Sequence, residues 1–444
     1  MSEDIRYVIG EYRKLKGSSE STDAHLAFHC LLNNTSYRLP ASAAHDPLIG
    51  FRELLRTARK LVRPQTAFHP ISDSSTHAIL GGLFREEQLI VNYVTRSSGE
   101  KQRLFFAKDY LPGFPSVSFP AFMRWLLFAI PISVRCIFSS QRANLALLLR
   151  EVVENAGLLY WVRSYGIKHL YDFIPYEKDG NFLSILLMSK GVEVIKIPSP
   201  GPLATHNQTI LGTRLVLSSP YQEEEVAQFN TTVRVNSIER WIPERAFGYI
   251  DRYASKPFTP PAHSIGFYSH GSWIRQKEDH AEDGLNISAA EQQLLNDLAK
   301  FLNEQPQFGL TIFLHPREKK DGMLSEAKDH YHQLFPNQAL RFADPSVATA
   351  QAFETCDIAL GAFSTILYER LFCGFKTLVG NYSIPGFPLK GSSLESICVH
   401  RYDMLQRKLL QFSALSSADF FKETGLMSYH YSRYPYFSQQ NSQA

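Results

Sequence analysis

Two short motifs carry the residue types best suited to holding a phosphate. The first, Leu314-His315-Pro316-Arg317-Glu318, ends an apolar run over 308–314 that is typical of a strand buried on both faces of a parallel sheet. Proline cannot donate to a strand ladder and keeps the preceding residue out of helical conformation, so the strand must stop there. We therefore expect His315 at the carboxyl edge of a sheet, where open α/β sheets bind their ligands.

The second motif is Gly361-Ala362-Phe363-Ser364-Thr365, which follows a short apolar strand predicted over 357–360 and opens an amphipathic helix over 364–373. Free backbone N–H groups, two hydroxyls and the positive end of the helix dipole meet at such a helix start, and together they suit a phosphate. Taken singly, His-Pro is also typical of a strand end without a ligand, and Ser-Thr of a simple cap. Their occurrence in this order, each at a predicted carboxyl edge, favours a phosphate site.

Three further residue groups accompany these motifs. Ser269-His270-Gly271-Ser272 follows a predicted strand over 264–268, and Gly271 would let the backbone approach a phosphate or a sugar. Arg317 has a guanidinium that suits bidentate phosphate contact, although the run 317–321 also reads as a solvated charged loop. Glu369, one turn inside the second helix, is a candidate acceptor for ribose hydroxyls or an ordinary exposed side chain.

Two carboxylates in the first half of the chain are candidates for a general base. Glu177 and Asp179 lie where a strand predicted over 168–174 passes into a helix, a position from which a carboxylate can remove a proton from an acceptor hydroxyl. The alternative is an ordinary turn with a helix cap. It applies most strongly to Asp179, because Asp-Gly-Asn is typical turn chemistry.

Length and composition predict a globular chain of two domains. With 444 residues, 44% hydrophobic and 20% charged, the chain exceeds one ordinary core, and its net charge of +3 does not indicate nucleic-acid binding. The cysteines include no Cys-x-x-Cys pair and the histidines lack ligand spacing, so we predict no metal site, no disulfides and a cytoplasmic location. The five cysteines are Cys30, Cys136, Cys356, Cys373 and Cys398.

Strands alternate with helices over 142–237 and again over 264–379, which predicts an α/β fold with parallel, doubly wound sheets. A proline-rich stretch, 256–261, separates the two blocks and is typical of a linker. We therefore predict a first Rossmann-like domain over 1–250, a linker over 251–262, a second Rossmann-like domain over 263–425 and a tail over 426–444.

One segment suggests a membrane surface. From Trp125 to Val134 the chain carries ten uncharged residues between Arg124 and Arg135. It is too short to span a bilayer, which needs about 20 residues, and Pro131 is expected to interrupt it. A peripheral interfacial insertion within 119–138 and a buried core helix both fit this pattern.

His315-Pro316, Ser364-Thr365 and Glu177-x-Asp179-Gly180 together resemble the motifs of bacterial GT-B glycosyltransferases that use CMP-activated sugars, the sialyltransferases and Kdo transferases of capsule and lipopolysaccharide synthesis. The resemblance implies two Rossmann-like domains facing a cleft, with C-terminal helices packing back. It also implies a first domain that binds the acceptor and a second that binds the nucleotide sugar.

By position, the resemblance makes Asp179 or Glu177 the base. It makes His315-Pro316 the motif that binds the donor phosphate and Ser364-Thr365 the second clamp on that phosphate. Neighbouring candidates for donor binding are His270, Gly271, Arg317 and Glu369. It implies an inverting, metal-independent enzyme with no cofactor besides its nucleotide-sugar substrate, acting on a glycan or glycolipid acceptor at the inner face of the bacterial membrane. The chain departs from the family motifs at two points. Lys178 separates the two acids of the acidic motif, and Ser364-Thr365 stands where Ser-Ser is commoner. A CDP-glycerol or CDP-ribitol phosphotransferase and a non-catalytic GT-B-like scaffold remain alternatives.

Overall fold

The structure is a computed structural model of the chain. The residues that it describes are 2–16, 46–62, 77–79, 93–94, 104–106, 117–139, 142–172, 178–198, 201, 203, 210–228, 233–241, 252–253, 258–277, 287–320, 322–362, 364–384 and 386–433. Within these ranges, the side chains of 13–16, 104–106, 142–144, 147, 178–182 and 275–277 lie outside the description.

The chain forms two compact units. The N-terminal unit comprises 1–199, 206–217 and 226–241, and the C-terminal unit comprises 200–205, 218–225 and 242–444. The sequence places 200–205 and 218–225 in the first domain, so two short segments from that part of the chain pack with the second unit.

From 142 onward the elements follow the predicted alternation, except that two pairs of short strands, 210–211 with 214–217 and 233–234 with 237–240, have no helix between them. The helices are α1 Ser2–Lys16, α2 Ile49–Val62, α3 Phe119–Phe138, α4 Arg142–Ser164, α5 Lys178–Met188 and α6 Pro220–Gln228. The strands are β1 His77–Ile79, β2 Leu104–Phe106, β3 His169–Asp172, β4 Glu193–Lys196, β5 Ile210–Leu211, β6 Arg214–Leu217, β7 Val233–Arg234 and β8 Ser237–Arg240.

Six of these strands form one parallel sheet in the order β2-β1-β3-β4-β6-β8, and β5 pairs with β7 separately. The alternation predicted over 142–237 therefore ends in two strands, β7 and β8, which pair with different neighbours. In β3, β4 and β6 the first residue is half-buried and the next three are buried, as in strands covered on both faces of a parallel sheet.

Helices α1 to α4 build the apolar core beside this sheet. Trp125 and Ala129 of α3 are fully buried there, together with Val152 of α4. Helix α3 runs for 20 residues with Pro131 inside it, so the expectation of an interruption at that proline and of a segment too short to span is wrong. Pro131 is exposed, and a proline on the solvent side bends a helix without ending it.

The C-terminal unit follows the predicted elements closely. Its helices are α7 Ser272–Lys277, α8 Ile287–Glu304, α9 Leu324–Leu334, α10 Thr365–Phe372, α11 Tyr402–Ser413 and α12 Ser417–Thr424. Its strands are β9 Ser264–Tyr268, β10 Gly309–Phe313, β11 Arg341–Phe342, β12 Ile358–Gly361, β13 Thr377–Gly380 and β14 Cys398–Val399. Within the alternation predicted over 264–379, the segment before β12 is a 3₁₀ helix, Thr349–Thr355, broken by non-helical dihedral angles at Ala352.

All strands of this second sheet are parallel, in the order β11-β10-β9-β12-β13-β14. Numbered from β9, this is the Rossmann order 3-2-1-4-5-6. The predicted α/β class with two Rossmann-like parallel sheets is confirmed. The strand order also defines a topological switch point between β9 and β12, where successive connections leave the sheet in opposite directions.

The predicted linker and tail are partly anchored to this unit. The Tyr253 hydroxyl donates to the Ala350 carbonyl at 2.8 Å, and its ring packs edge-on against Phe375. In the tail, Tyr429 is fully buried and its hydroxyl accepts the backbone N–H of Tyr221 at 3.0 Å.

Candidate functional site

Three of the predicted phosphate-binding segments leave neighbouring strands at one edge of the C-terminal sheet. Strand β9 lies between β10 and β12, with Phe267 paired to Ile312 on one side and to Leu360 on the other. The segments that follow these strands start at Ser269, Leu314 and Ala362. His315, the Gly271 turn and the start of α10 therefore share the carboxyl edge at the switch point, where ligands of this fold bind.

His315 is held in one tautomer by its own turn. The backbone N–H of Arg317 donates to His315 Nδ1 at 3.2 Å, so Nδ1 is the acceptor and Nε2 carries the proton of the neutral ring. The N–H groups of Glu318 and Lys319 both donate to the His315 carbonyl, at 2.9 and 3.2 Å. A fixed Nε2–H is the arrangement needed to donate a hydrogen bond to an anionic oxygen.

Glu318 is the centre of this turn. It is fully buried, and its Oε2 accepts the backbone N–H of His315 at 2.6 Å. Its Oε1 accepts from Trp273 Nε1 at 2.6 Å and from the Tyr331 hydroxyl at 3.0 Å. Burial raises the pKa of Glu318, while the hydrogen bond from the His315 N–H lowers it. Interpreting the run from Arg317 onward as a solvated loop is therefore wrong at Glu318. The oxygens of this carboxylate accept the hydrogen bonds that fix the His315 turn.

A second buried carboxylate fixes the neighbouring turn. Glu291 of α8 accepts the backbone N–H of His270 at 2.7 Å and that of Ser272 at 3.3 Å. The N–H of Gly271, between them, donates to Ser269 Oγ at 2.9 Å. Burial raises the pKa of Glu291 to about 7. These three N–H groups point into the protein, so the turn contributes the His270 ring and the space beside His315 instead of a phosphate-binding row of amides.

Gly271 lies beside the His315 ring. It adopts φ +68°, and a Cβ placed on it would lie 3.1 Å from His315 Nδ1 and 3.3 Å from His315 Cγ. The His270 and His315 ring centroids are 5.9 Å apart. Any other residue would strain the backbone and push on the imidazole, so glycine here is needed for the position of His315.

Ser364 and Thr365 stand at the start of α10, as predicted. Ser364 is the N-cap residue, with extended dihedral angles and no capping hydrogen bond from its side chain. The first N–H groups of a helix have no intrahelical partners, and the dipole there favours an anion. Thr365 is exposed, and Ser364 is half-buried. The hydroxyls and amides at this end therefore lie at the same carboxyl edge of the sheet as His315.

Arg370 fixes the far end of α10. Its guanidinium is fully buried and donates to the carbonyls of Cys356 at 2.7 Å, Asp357 at 3.1 Å and Lys376 at 3.3 Å, and also to that of Phe353. One cation therefore ties the helix to the residues before β12 and β13. The N-terminus of α10 is held at the sheet edge by this anchor.

A segment that sequence reasoning missed lies beside Thr365. A Cβ on Gly201 would be 3.1 Å from Thr365 Cγ2, and Gln222 Nε2 donates to the Gly201 carbonyl at 2.6 Å. Glu225 Oε2 accepts the N–H of Leu203 at 2.6 Å. The sequence Pro200-Gly201-Pro202 indicates a turn, but nothing in it shows which unit the turn joins.

The other predicted site residues are Arg317, Glu369, Glu177 and Asp179. Arg317 is half-buried and follows Pro316 in the turn, and Glu369 is 5% exposed, so interpreting Glu369 as a solvent-exposed side chain is wrong. Glu177 lies outside the described residues. Asp179 lies in the first turn of α5, and its side chain lies outside the description. The role of either acid as a base stays a prediction.

The N-terminal unit carries a buried ion pair that the sequence analysis overlooked. Lys196, the last residue of β4, is fully buried, and its Nζ lies 2.5 Å from Asp172 Oδ2 at the end of β3. Because β3 and β4 are paired in register at these two residues, the pair closes the carboxyl edge just before the predicted base segment. Its only sequence signal is an Asp and a Lys that end consecutive apolar strands.

Within the described part of the chain, no group of three or more His, Cys, Asp or Glu side chains is arranged to hold a metal ion. The described cysteines, Cys136, Cys356, Cys373 and Cys398, are buried free thiols. Burial raises the pKa of Cys398 to about 12, which describes an inert thiol and not a nucleophile or metal ligand.

No protein-family model and no curated protein sequence matches the chain. Three solved structures align with most of it at low identity. A UDP-GlcNAc 2-epimerase from Neisseria meningitidis bound to UDP-GlcNAc covers 80% of this chain and 96% of its own, at 9% identity and a TM-score of 0.44. MurG from Acinetobacter baumannii covers 80% and 94%, at 10% identity and a TM-score of 0.42. An O-GlcNAc transferase from Thermobaculum terrenum covers 97% and 79%, at 13% identity and a TM-score of 0.40. The fold assignment rests on the two parallel sheets themselves.

Proposed function

We propose that this chain is a GT-B-type glycosyltransferase that moves a sugar of the sialic acid or Kdo kind from a CMP-activated donor to a bacterial surface glycan. The observation that carries the proposal is the tautomer and the position of the His315 ring. Its Nδ1 is occupied by the Arg317 N–H, and the ring stands at the switch point of a Rossmann-order sheet that also bears the N-terminus of α10. The motif resemblance, and not the geometry, supplies CMP and the sugar class.

The reaction proposed is a direct displacement with inversion. The acceptor oxygen attacks the anomeric carbon while the bond from that carbon to the donor phosphate oxygen breaks, and the electron pair leaves with the phosphate. The departing phosphate is more negative in the transition state than in the donor, so the His315 Nε2–H, the Ser364 and Thr365 hydroxyls and the α10 dipole stabilise it most at that point. Asp179 or Glu177 takes the acceptor proton.

The roles of Glu318 and Glu291 in this reaction are positional. Each carboxylate accepts the backbone N–H of a histidine at the site, His315 at 2.6 Å and His270 at 2.7 Å. A misplacement of about 1 Å in a reacting geometry can cost about 100-fold in rate. Buried carboxylates that fix both turns therefore serve turnover without contacting the substrate.

The test is stabilisation of the purified protein by nucleotides, because a ligand that binds the native state raises the melting temperature. Thermal unfolding is followed with CMP, CDP, UDP and GDP, for wild type, His315→Ala and the control His332→Ala. His332 is an exposed histidine on α9 of the same unit. We expect stabilisation by CMP, its loss in His315→Ala and its retention in His332→Ala.

The other outcomes identify what is wrong. A larger shift with CDP supports the polyol-phosphate transferase, and a shift with UDP or GDP alone changes the donor class. No shift with any nucleotide supports the non-catalytic scaffold. Turnover provides the second readout, because His315→Ala with unchanged turnover would show that the leaving-group assignment is wrong. Metal independence is checked in the same assay by adding a chelator, which is expected to leave turnover unchanged.

A further inference from the structure

Helix α3 has one face in the core and one apolar face in solvent. Ala129 and Cys136 are fully buried on the inner side, whereas Leu127 is 66% and Phe138 is 84% exposed. Ile130 and Val134 are exposed between them. The exposed positions recur at helical spacing and so form one stripe along the helix. The stripe carries no acidic residue, and Arg124 and Arg135 are exposed on the same helix.

Helix α2 repeats this combination. Leu55 is 59% and Val62 is 64% exposed. Arg52, Arg56 and Arg59 are exposed at the intervening helical positions, so arginines and apolar side chains share one face. Among the described residues, the acids paired with these arginines are Asp46, 2.9 Å from Arg52, and the buried Glu53, 3.5 Å from Arg56.

The two helices form one layer. Ser133 Oγ of α3 donates to the Gly50 carbonyl of α2 at 3.2 Å, and a Cβ on Gly50 would lie 2.8 Å from Cys136 Cβ. Both helices also pack on α4, and the buried residues of α3 lie in the core that α4 shares. The two helices therefore contact each other directly and bury their inner faces against the same partner, and each keeps its other face in solvent.

We propose that this outer face of α2 and α3, defined by Leu48, Arg52, Leu55, Arg56, Arg59, Val62, Arg124, Leu127, Ile130, Val134, Arg135 and Phe138, docks on an anionic phospholipid surface. Large apolar side chains flanked by arginines are the composition of an interfacial helix, with the apolar groups at the acyl boundary and the cations at the headgroups. Charge selects this occupant, because the exposed charges of the face are dominated by arginine.

Helix α3 is the one helix of the described residues that is long and apolar enough to cross a bilayer, and 39% of that apolar stretch is buried. Its buried face argues for lying on the membrane. Trp125, Ala129, Ser133 and Cys136 are all fully buried within the N-terminal unit, and Ser133 also bonds to the Ala129 carbonyl at 3.0 Å. A spanning helix would have to withdraw these residues from the core.

The proposal is independent of the sugar chemistry, so its test uses no donor or acceptor. Flotation of the full chain is measured with vesicles of phosphatidylcholine alone and with vesicles containing phosphatidylglycerol. Leu127→Ser/Phe138→Ser tests the apolar stripe and Arg124→Ser/Arg135→Ser tests the charge. Leu410→Ser is the matched control, since Leu410 is a 40% exposed leucine on α11 of the other unit.

We expect wild type and Leu410→Ser to float with the anionic vesicles, and less so at high salt. The apolar double variant should bind at least about tenfold more weakly, and each arginine removed should weaken binding by about fivefold. Unchanged melting temperatures would show that the variants fold. Absence of binding, equal binding to neutral vesicles, or wild-type binding by the apolar variant would overturn the proposal. If light scattering showed a wild-type dimer that dissociates in Leu127→Ser/Phe138→Ser, the face would instead be an interface with a second copy of the chain.

Discussion

Gly271→Ala separates the position of His315 from the stability of the fold. The substitution puts a Cβ 3.1 Å from His315 Nδ1 and 3.3 Å from its Cγ, on a backbone at φ +68°. The left-handed backbone costs a non-glycine residue about 1–2 kcal/mol wherever it occurs. The steric contact is specific to this site, and it must move the imidazole by a few tenths of an ångström or twist the turn that Glu291 holds.

The size of the effect follows from these two terms. Because about 1 Å of misplacement can cost about 100-fold in rate, a shift of a few tenths of an ångström is expected to lower kcat by about three- to tenfold. Stability should fall by about 1–2 kcal/mol. The control is Gly425→Ala, since Gly425 has φ +71° in the same unit and a Cβ there meets no atom within 4 Å.

The assay compares melting temperature, nucleotide stabilisation and turnover in the two variants. Both should lose similar stability, but only Gly271→Ala should lose nucleotide stabilisation and turnover. Equal losses of turnover in both variants would show that the effect is a general loss of stability. Full nucleotide stabilisation in Gly271→Ala would refute the argument that this glycine positions His315.

Three further predictions follow from buried charges. Glu291 has a folded-state pKa raised from 4.5 to about 7, so the stability that its protonated form contributes is present below pH 4.5 and is lost as the pH rises through 7. Urea unfolding of the wild type should therefore show a loss of about 3 kcal/mol in the free energy of unfolding over that pH window. Glu291→Gln should lose much less. Lys196→Met leaves Asp172 buried without its cation and should lower the free energy of unfolding by about 3–5 kcal/mol, with much of the loss recovered in Lys196→Met/Asp172→Leu. Arg370→Met leaves several buried carbonyls without their hydrogen-bond donor and should lower the melting temperature by several degrees. By comparison, Arg317→Met changes a half-buried side chain, and it should keep the melting temperature and weaken nucleotide binding.

The second sheet could be predicted from the sequence because its elements are local patterns. The strand predicted over 264–268 coincides with β9 to the residue, since turn residues on both sides of it end the apolar run. His315 and Ser364 could be placed at strand ends for the same reason. The order of the strands, and hence the switch point between β9 and β12, depends on long-range pairing that no local pattern contains.

The supporting residues could not be predicted because burial depends on tertiary contacts. Glu318 sits in a charged run and Glu291 in an amphipathic helix, so both look solvated in the sequence. The structure buries Glu318 by bringing Trp273 and Tyr331 to its Oε1. Likewise, Pro131 looks like a helix break until its place on the exposed side of α3 is known.

Two buried carboxylates beside a proposed phosphate site are electrostatically unfavourable by themselves, and their hydrogen bonds explain how both can be present. Glu318 directs its oxygens to the His315 N–H, the Trp273 indole and the Tyr331 hydroxyl, and Glu291 directs its oxygens to the N–H groups of His270 and Ser272. The charge of each is therefore opposed locally by donor dipoles. Burial also raises the pKa of Glu291 to about 7, so near neutral pH much of its population is uncharged. An approaching phosphate would favour the protonated form still further, because it adds a negative charge nearby. The same carboxyls that hold the two histidine turns in place can thus lie behind an anion without repelling it at full strength.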